Sequence, residues 1–324
     1  MRAAIQIDGG IGRTICALPA LERMAKEQEL IIIAGHPEVF HNNPNFYKVY
    51  SLNREYIFDD VIQHCEFLNP EPYWDYHFYQ KQRHIITSFN CILNKEEPIE
   101  LPRPVIYLTD AEKQEASDYI KNIRTQIGNR KIIGFQPFGA SFQPLTGKDD
   151  SHRSLPPNVV DSILNQLNDV GCFINFTMHP IKHPSMCYDH FPLRKLFALA
   201  PHCDYLITVD SFLPHLGFCF GIPGTEFFGG TEIVNFGYPE HYHTVSRPGY
   251  PKTYFAFRMA GFVDKNQGAM NFTEEELTPI LEEIRARLGA LTPPQEEPTV
   301  CCDSSCTVPC DGEPKLSIVS SPQE

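Results

Sequence analysis

Apolar residues mark out one strand, helix and strand at the start of the chain. Ile5-Gln6-Ile7 opens as a short strand and runs into a glycine-rich turn, Asp8-Gly9-Gly10-Ile11-Gly12. From about Arg13 to Lys26, Ile15, Leu18, Leu21 and Met24 recur at the period of a helix face. Leu30 to Ala34 is an unbroken apolar run, as expected of a strand covered on both faces of a parallel sheet. The pattern then lapses. Between His36 and Pro104, Tyr, Phe, His and Asn are interspersed, and Pro72 to Tyr79 mixes aromatic with polar residues. This stretch reads as surface loops and irregular helices, or as aromatic faces on which a sugar or base stacks. His84 to Leu93 reads as a helix.

Regular alternation returns in the second half. A helix is expected over 110–127, with Asp110 as its N-cap and Glu112 in its first turn. Strands follow at 131–137, 172–177, 205–209 and 224–228, separated by helices at about 157–170, 192–200 and 212–220. Strands joined by helices imply an α/β fold with a parallel, doubly wound sheet. A last helix over 273–289 has Thr273 as its cap. Beyond Pro293 the composition turns to Pro, Ser, Glu and Cys, which predicts disorder. The expected organisation is two Rossmann-like domains, 1–125 and 126–291, followed by a tail, 292–324.

Composition narrows the class. A chain of 324 residues exceeds the usual size of one core, in keeping with two domains. A net charge of −13 argues against broad nucleic-acid binding, while leaving room for a local basic groove. No apolar run is long enough for a membrane span, and the N-terminus reads as a strand and not a signal peptide. The expected location is the cytoplasm. Of eleven cysteines, seven lie scattered in the body and read as reduced, mostly buried thiols. Cys301, Cys302, Cys306 and Cys310 lie in the tail. Four thiolates can hold zinc, but this spacing is not that of a zinc ribbon or knuckle, and no metal site is expected.

In doubly wound sheets, ligands bind beyond the carboxyl ends of the strands. Three loops there carry candidate chemistry. In the first, Gly10 and Gly12 let backbone approach a ligand, and the helix start at Arg13-Thr14 offers N–H groups to an anion. The turn is not G-x-G-x-x-G, and Gly35-His36, not an acid, follows the second strand, which disfavours a dinucleotide dehydrogenase. The second loop, Gln136-Pro137-Phe138-Gly139-Ala140-Ser141, leads through Lys148, His152 and Arg153 to Leu155-Pro156-Pro157 and a helix. It suits phosphate, or is an exposed charged loop. The third is Asp210-Ser211-Phe212-Leu213-Pro214-His215-Leu216. Asp210 or Ser211 can cap the next helix, whose positive N-terminal end would stabilise a pyrophosphate. His215 faces the ligand or is structural.

Taken in order, these segments resemble glycosyltransferase family 9, the heptosyltransferases of lipopolysaccharide synthesis. The matching residues are Gly9-Gly10-Ile11-Gly12 through Ala17-Leu18-Pro19-Ala20-Leu21; Gln136 to Ser141 with Arg153 before Leu155-Pro156; Asp210-Ser211 through His215-Leu216, with Phe212 where the family has glycine; and Phe228-Gly229-Gly230-Thr231. The resemblance spans most of residues 1–250. It implies a GT-B fold, with two Rossmann-like domains facing a cleft. It also implies inverting transfer from a nucleotide-diphosphate sugar to an acceptor hydroxyl, with no cofactor or required metal. The donor would lie mainly on the second domain, near Ser141, Arg153, Asp210, Ser211, His215, Gly230 and Thr231. Thr177-Met178-His179 and Phe191-Pro192 would contact ribose and base. Where the family carries its aspartate base, Arg13 stands, and an arginine cannot act as a base at neutral pH. Asp8 is the nearest carboxylate for that role, or else stabilises the turn. Arg13 would bind donor phosphate or an anionic acceptor. The acceptor is a glycan or, in a second reading, a modified DNA base lining up with the basic and aromatic residues between His41 and Arg103. A third reading is a sugar-nucleotide-binding protein without catalysis, and a fourth a sugar-nucleotide epimerase.

Overall fold

The computed structural model describes residues 2–149, 151–187, 191–250, 252 and 268–291. The tail and its four cysteines lie outside the described residues.

The first half builds a four-stranded parallel sheet. Its elements are β1 (Arg2–Ile7), α1 (Ile11–Met24), β2 (Glu29–Ala34), β3 (Lys48–Ser51), α2 (Ile57–Asp60), β4 (Glu66–Leu68), α3 (Tyr76–Tyr79) and α4 (Ile85–Asn94). The strand order is β3-β2-β1-β4. β1 and β2 are the runs legible as strands, and their inner residues are buried on both faces. β3 and β4 have half-exposed patterns and short lengths, which is why the irregular stretch concealed them.

The second half begins after α5 (Asp110–Ile127) and builds a six-stranded parallel sheet. Its elements are β5 (Lys131–Gln136), the hairpin strands β6 (Phe142–Gln143) and β7 (Lys148–Asp149), α6 (Pro157–Leu167), β8 (Gly171–Asn175), β9 (Met186–Cys187), α7 (Leu193–Leu199), β10 (Tyr205–Val209), α8 (Phe212–Phe220), β11 (Gly224–Phe228), α9 (Ile233–Phe236), β12 (Tyr242–Ser246) and α10 (Glu274–Ala290). The sheet order is β12-β11-β10-β5-β8-β9, with β6 and β7 forming a separate antiparallel pair. The α/β class, the two doubly wound sheets and the facing cleft follow the sequence-based expectation.

One local expectation changes. The N-cap of α5 is Thr109 and not Asp110: its side chain accepts from the Glu112 N–H, and the Glu112 carboxylate accepts from the Thr109 N–H. Threonine then serves as the cap, while Asp110 stands in the first turn. The expected domain boundary at 125/126 falls inside α5, which packs against α7 and pairs Arg124 with Asp204 at 2.9 Å. Thr273 caps α10 through a second capping box with Glu276, as expected.

A single apolar cluster runs through both halves, from Ile5, Leu18 and Phe89 to Leu206, Leu213 and Leu216. A second cluster covers the other face of the larger sheet with Phe135, Val160, Ile207 and Leu281. Residues up to Leu291 accordingly form one compact body. Among the described residues no helix is long and apolar enough to cross a membrane.

Candidate functional site

Each sheet reverses its strand order beside the strand that starts its half. In the first, β2 and β3 lie on one side of β1 and β4 on the other; in the second, β8 and β9 lie on one side of β5 and β10 to β12 on the other. Such reversals open a crevice beyond the carboxyl ends of the strands. The loop after β1, the end of β5 and the loop after β10 all border one cleft of about 690 Å³. Of the residues expected in a site, Gly10, Gly12, Arg13, Gln136, Gly139, Arg153, Thr177, His179, Asp210, Ser211, His215 and Thr231 line it.

Four expected residues do not line it. The Asp8 carboxylate accepts from Gln6 Nε2 at 2.9 and 3.1 Å, which holds it beside its own strand. Thr14 is buried and its hydroxyl donates back to the Gly10 carbonyl. Ser141 stands at the turn into the β6–β7 hairpin. Gly230 donates its N–H to the His152 carbonyl at 2.9 Å, fixing the loop that carries Thr231.

The N-terminus of α8 has fewer free donors than its sequence suggests. Ser211 is its N-cap, without a side-chain hydrogen bond. The buried Gln136 side chain accepts from the Leu213 N–H at 2.8 Å, so the end of β5 caps the helix after β10. Pro214 has no N–H to offer. The Phe212 N–H is left, aided by the helix dipole. The cation beside it is Arg153, whose Nη1 donates to the Asp210 carbonyl at 3.4 Å and lies 3.9 Å from its carboxylate.

Arg153 owes its position to Asp149, a residue the sequence reading missed. One Asp149 oxygen accepts from the Ser151 N–H and hydroxyl, the other from the Ser154 N–H and hydroxyl. Burial pushes this carboxyl up, but these hydrogen bonds outweigh it and keep the group below its usual range. Ser154 Oγ in turn accepts from the Gly139 N–H, and Ser151 Oγ accepts from Arg153 Nε. The spacing of Asp149, Ser151 and Ser154 is the local signal of such a turn. Asp210 is buried, which raises its pKa; Arg153 and then Thr231 oppose this.

The N-termini of α1 and α8 meet at Gly12. A side chain there would come within 2.6 Å of His215 Cδ2 and 3.0 Å of the Ser211 carbonyl, so only glycine permits the approach. His215 is buried and held to about 3, by desolvation first and then by His84 and Arg153. It is therefore a neutral ring. Its Nδ1 lies 2.7 Å from the Tyr238 hydroxyl. With that hydroxyl donating, Nε2 carries the proton and is the ring's donor towards the cleft. Arg13 pairs with Glu71 at 3.0 Å and its guanidinium lies 5.2 Å from the Tyr73 ring centre.

The far wall suits a nucleoside. Phe138 and Phe142 stack at 4.0 Å, with the His179 ring against them. The Thr177 hydroxyl is engaged within its own turn, with Asn175 Oδ1 and the His179 carbonyl. It shapes the loop more than it offers a donor. From the aromatic stretch, Tyr73 and Phe78 reach the cleft, whereas Trp74, Tyr76 and Tyr79 are exposed. Glu38, also missed, lines the cleft with Oε2 buried and unpartnered among the described residues. It sits in a single 3-10 turn, Pro37–Phe40, too short to give a periodic signal.

No family model matches the sequence, and no curated protein matches it. Solved structures do. Heptosyltransferase II of Escherichia coli, an ADP-heptose lipopolysaccharide heptosyltransferase, is similar with a TM-score of 0.62 at 12% identity, covering 89% of this chain and 98% of its own. The E. coli heptosyltransferase WaaC, solved with ADP, gives 0.58 at 12% identity, covering 90% and 100%. A family 9 glycosyltransferase of Veillonella parvula gives 0.56 at 15%, covering 75% and 84%. The fold is that of the two-Rossmann glycosyltransferases, and these similarities cover 75–90% of the chain.

Proposed function

We propose that the protein is an inverting glycosyltransferase that uses a nucleotide-diphosphate sugar. The observation that carries this reading is the pairing of two strand-order reversals across one cleft, lined by Arg153 and the α8 N-terminus. The similarity to structures whose names specify ADP-heptose or ADP supports it. The diphosphate lies between the Phe212 N–H, Arg153 and the neutral Nε2–H of His215, and the base against Phe138 and His179. Charge developing on the departing nucleotide meets donors already in place. Arg153 and the helix end fill the role a metal would otherwise serve, so a chelator leaves turnover unchanged.

The acceptor hydroxyl attacks the anomeric carbon from the first-half side and loses its proton. That proton needs a carboxylate on the cleft wall. Asp8 is bound by Gln6 off the wall, Asp210 is buried, and Glu232 pairs with Lys81 at 2.8 Å. We assign the base to Glu38, which lines the cleft from the first half, is only partly buried and has no ion pair among the described residues, whereas Asp210 faces Arg153. The test is a panel of nucleotide sugars and hydroxyl acceptors, read as nucleotide release and as thermal shift. Neither shift nor release with any donor would overturn the proposal. Donor binding without release would instead support a binding role.

A further inference from the structure

The first-half wall offers a second cationic site, separate from Arg153. α1 spans 14 residues and begins at Gly10 with no side chain capping its N–H groups. Arg13, in its first turn, bends back over Gly9: a side chain at Gly9 would lie 2.9 Å from Arg13 Cδ and 3.7 Å from Nη1. The Arg13 side chain is only 10% exposed. Its Nη2 is engaged by Glu71 and the Pro70 carbonyl, yet Nε is buried with no acceptor among the described residues. A buried guanidinium N–H left without an acceptor is costly, and a ligand oxygen would satisfy it.

The two arginines are anchored in different halves. Arg13 is held by Glu71, Pro70 and Tyr73, and Arg153 by Ser151 and the Asp210 carbonyl. Tyr73, 5.2 Å from Arg13, feels the positive charge of both. In a transfer reaction each half presents one substrate to the other.

Resting on the reading as a sugar transferase, we propose that Arg13 and the α1 N-terminus bind an oxyanion of the acceptor, a phosphate or carboxylate close to the hydroxyl that attacks. The position that would carry a base in the resembled family then recognises acceptor charge.

Calorimetric titration of the full chain tests this, with ADP, inorganic phosphate and acetate as probes. The expected result is that phosphate or acetate binds to protein already saturated with ADP, and the stronger of the two identifies the anion class. Arg13→Gln should weaken that anion by about tenfold or more, with ADP within about twofold of the parent. Glu71→Gln, which frees Nη2 from its carboxylate, should tighten it. The Glu71 variant decides the matter even if Arg13→Gln fails to fold. Anion binding that ADP abolishes, an equal loss of ADP in Arg13→Gln, or no gain in Glu71→Gln would each overturn the proposal. Failure to bind ADP at all would sink the donor reading alone, since the Arg13 and Glu71 effects on phosphate or acetate remain measurable.

Discussion

Carboxylates within a short distance of this cleft face very different surroundings, and their surroundings assign their roles. Asp8 has both oxygens on Gln6 Nε2, while Glu38 has a buried oxygen with no partner on the cleft wall. Asp8→Asn should therefore leave nucleotide release within about threefold of the parent, since the amide can keep a hydrogen bond to Gln6. Glu38→Gln should lower it by about 10²–10⁴-fold with donor affinity preserved, the range for loss of a general base. Steady-state turnover with a parallel ADP titration reads both, and a large loss in Asp8→Asn would return the role to Asp8. Motif order made Arg153, Asp210, Ser211 and His215 legible as site residues. It missed Tyr238, which acts on the distant His215; Glu38, whose single turn has no periodicity; and Asp149, whose local spacing to Ser151 and Ser154 marks a turn but not its hold on Arg153.

At the scale of elements, α1 and α8 set the cleft by abutting at Gly12. Gly10, two residues earlier, has open space around its missing side chain. Gly12→Ala should cost about 1–3 kcal/mol as the helix ends are forced apart, and weaken ADP binding. Gly10→Ala, at the N-cap of the same helix, should cost about 1 kcal/mol or less and leave ADP binding unchanged. Equal effects at both positions in thermal melts would show that the helix ends do not depend on this contact. A second pair tests the cap of α5. Thr109→Ala should lose about 1 kcal/mol, whereas Asp110→Ala should change little, because the capping hydrogen bonds belong to Thr109. The long buried strands and amphipathic helices were readable because burial on both faces, or on one stripe, leaves a strong pattern. β3, β4 and the β6–β7 hairpin were not, since their short, partly exposed runs carry only a few residues of signal.

Across the whole molecule, the seam between the halves encloses titratable groups whose shifts oppose one another. Burial holds His84 to about 4 and His215 to about 3, and both rings flank Tyr238, at 4.9 and 5.6 Å between ring centres. Below about pH 6.5 the unfolded chain binds protons on these histidines that the folded one refuses, so their effect makes stability rise with pH from about 4 to 6.5. Glu226 does the reverse. It lies in β11 opposite Thr208, fully buried, with neither oxygen partnered among the described residues, and burial raises its pKa well above the usual range. Folded protein keeps its proton while the unfolded chain loses it above about pH 4.5, so stability falls by about 1.4 kcal/mol per pH unit from there upward. Two histidines outweigh one carboxyl, so the parent should gain about 1.4 kcal/mol per pH unit between about 4.5 and 6.5 and decline above it. Glu226→Leu removes the falling contribution. Its stability should climb about twice as steeply through the same interval and then level off, with a net gain at pH 8 on the order of 1–4 kcal/mol. Urea unfolding of both proteins at a series of pH values measures the two slopes. A Glu226→Leu curve parallel to that of the parent would mean that the buried acid is ionised in the fold and satisfied by a partner.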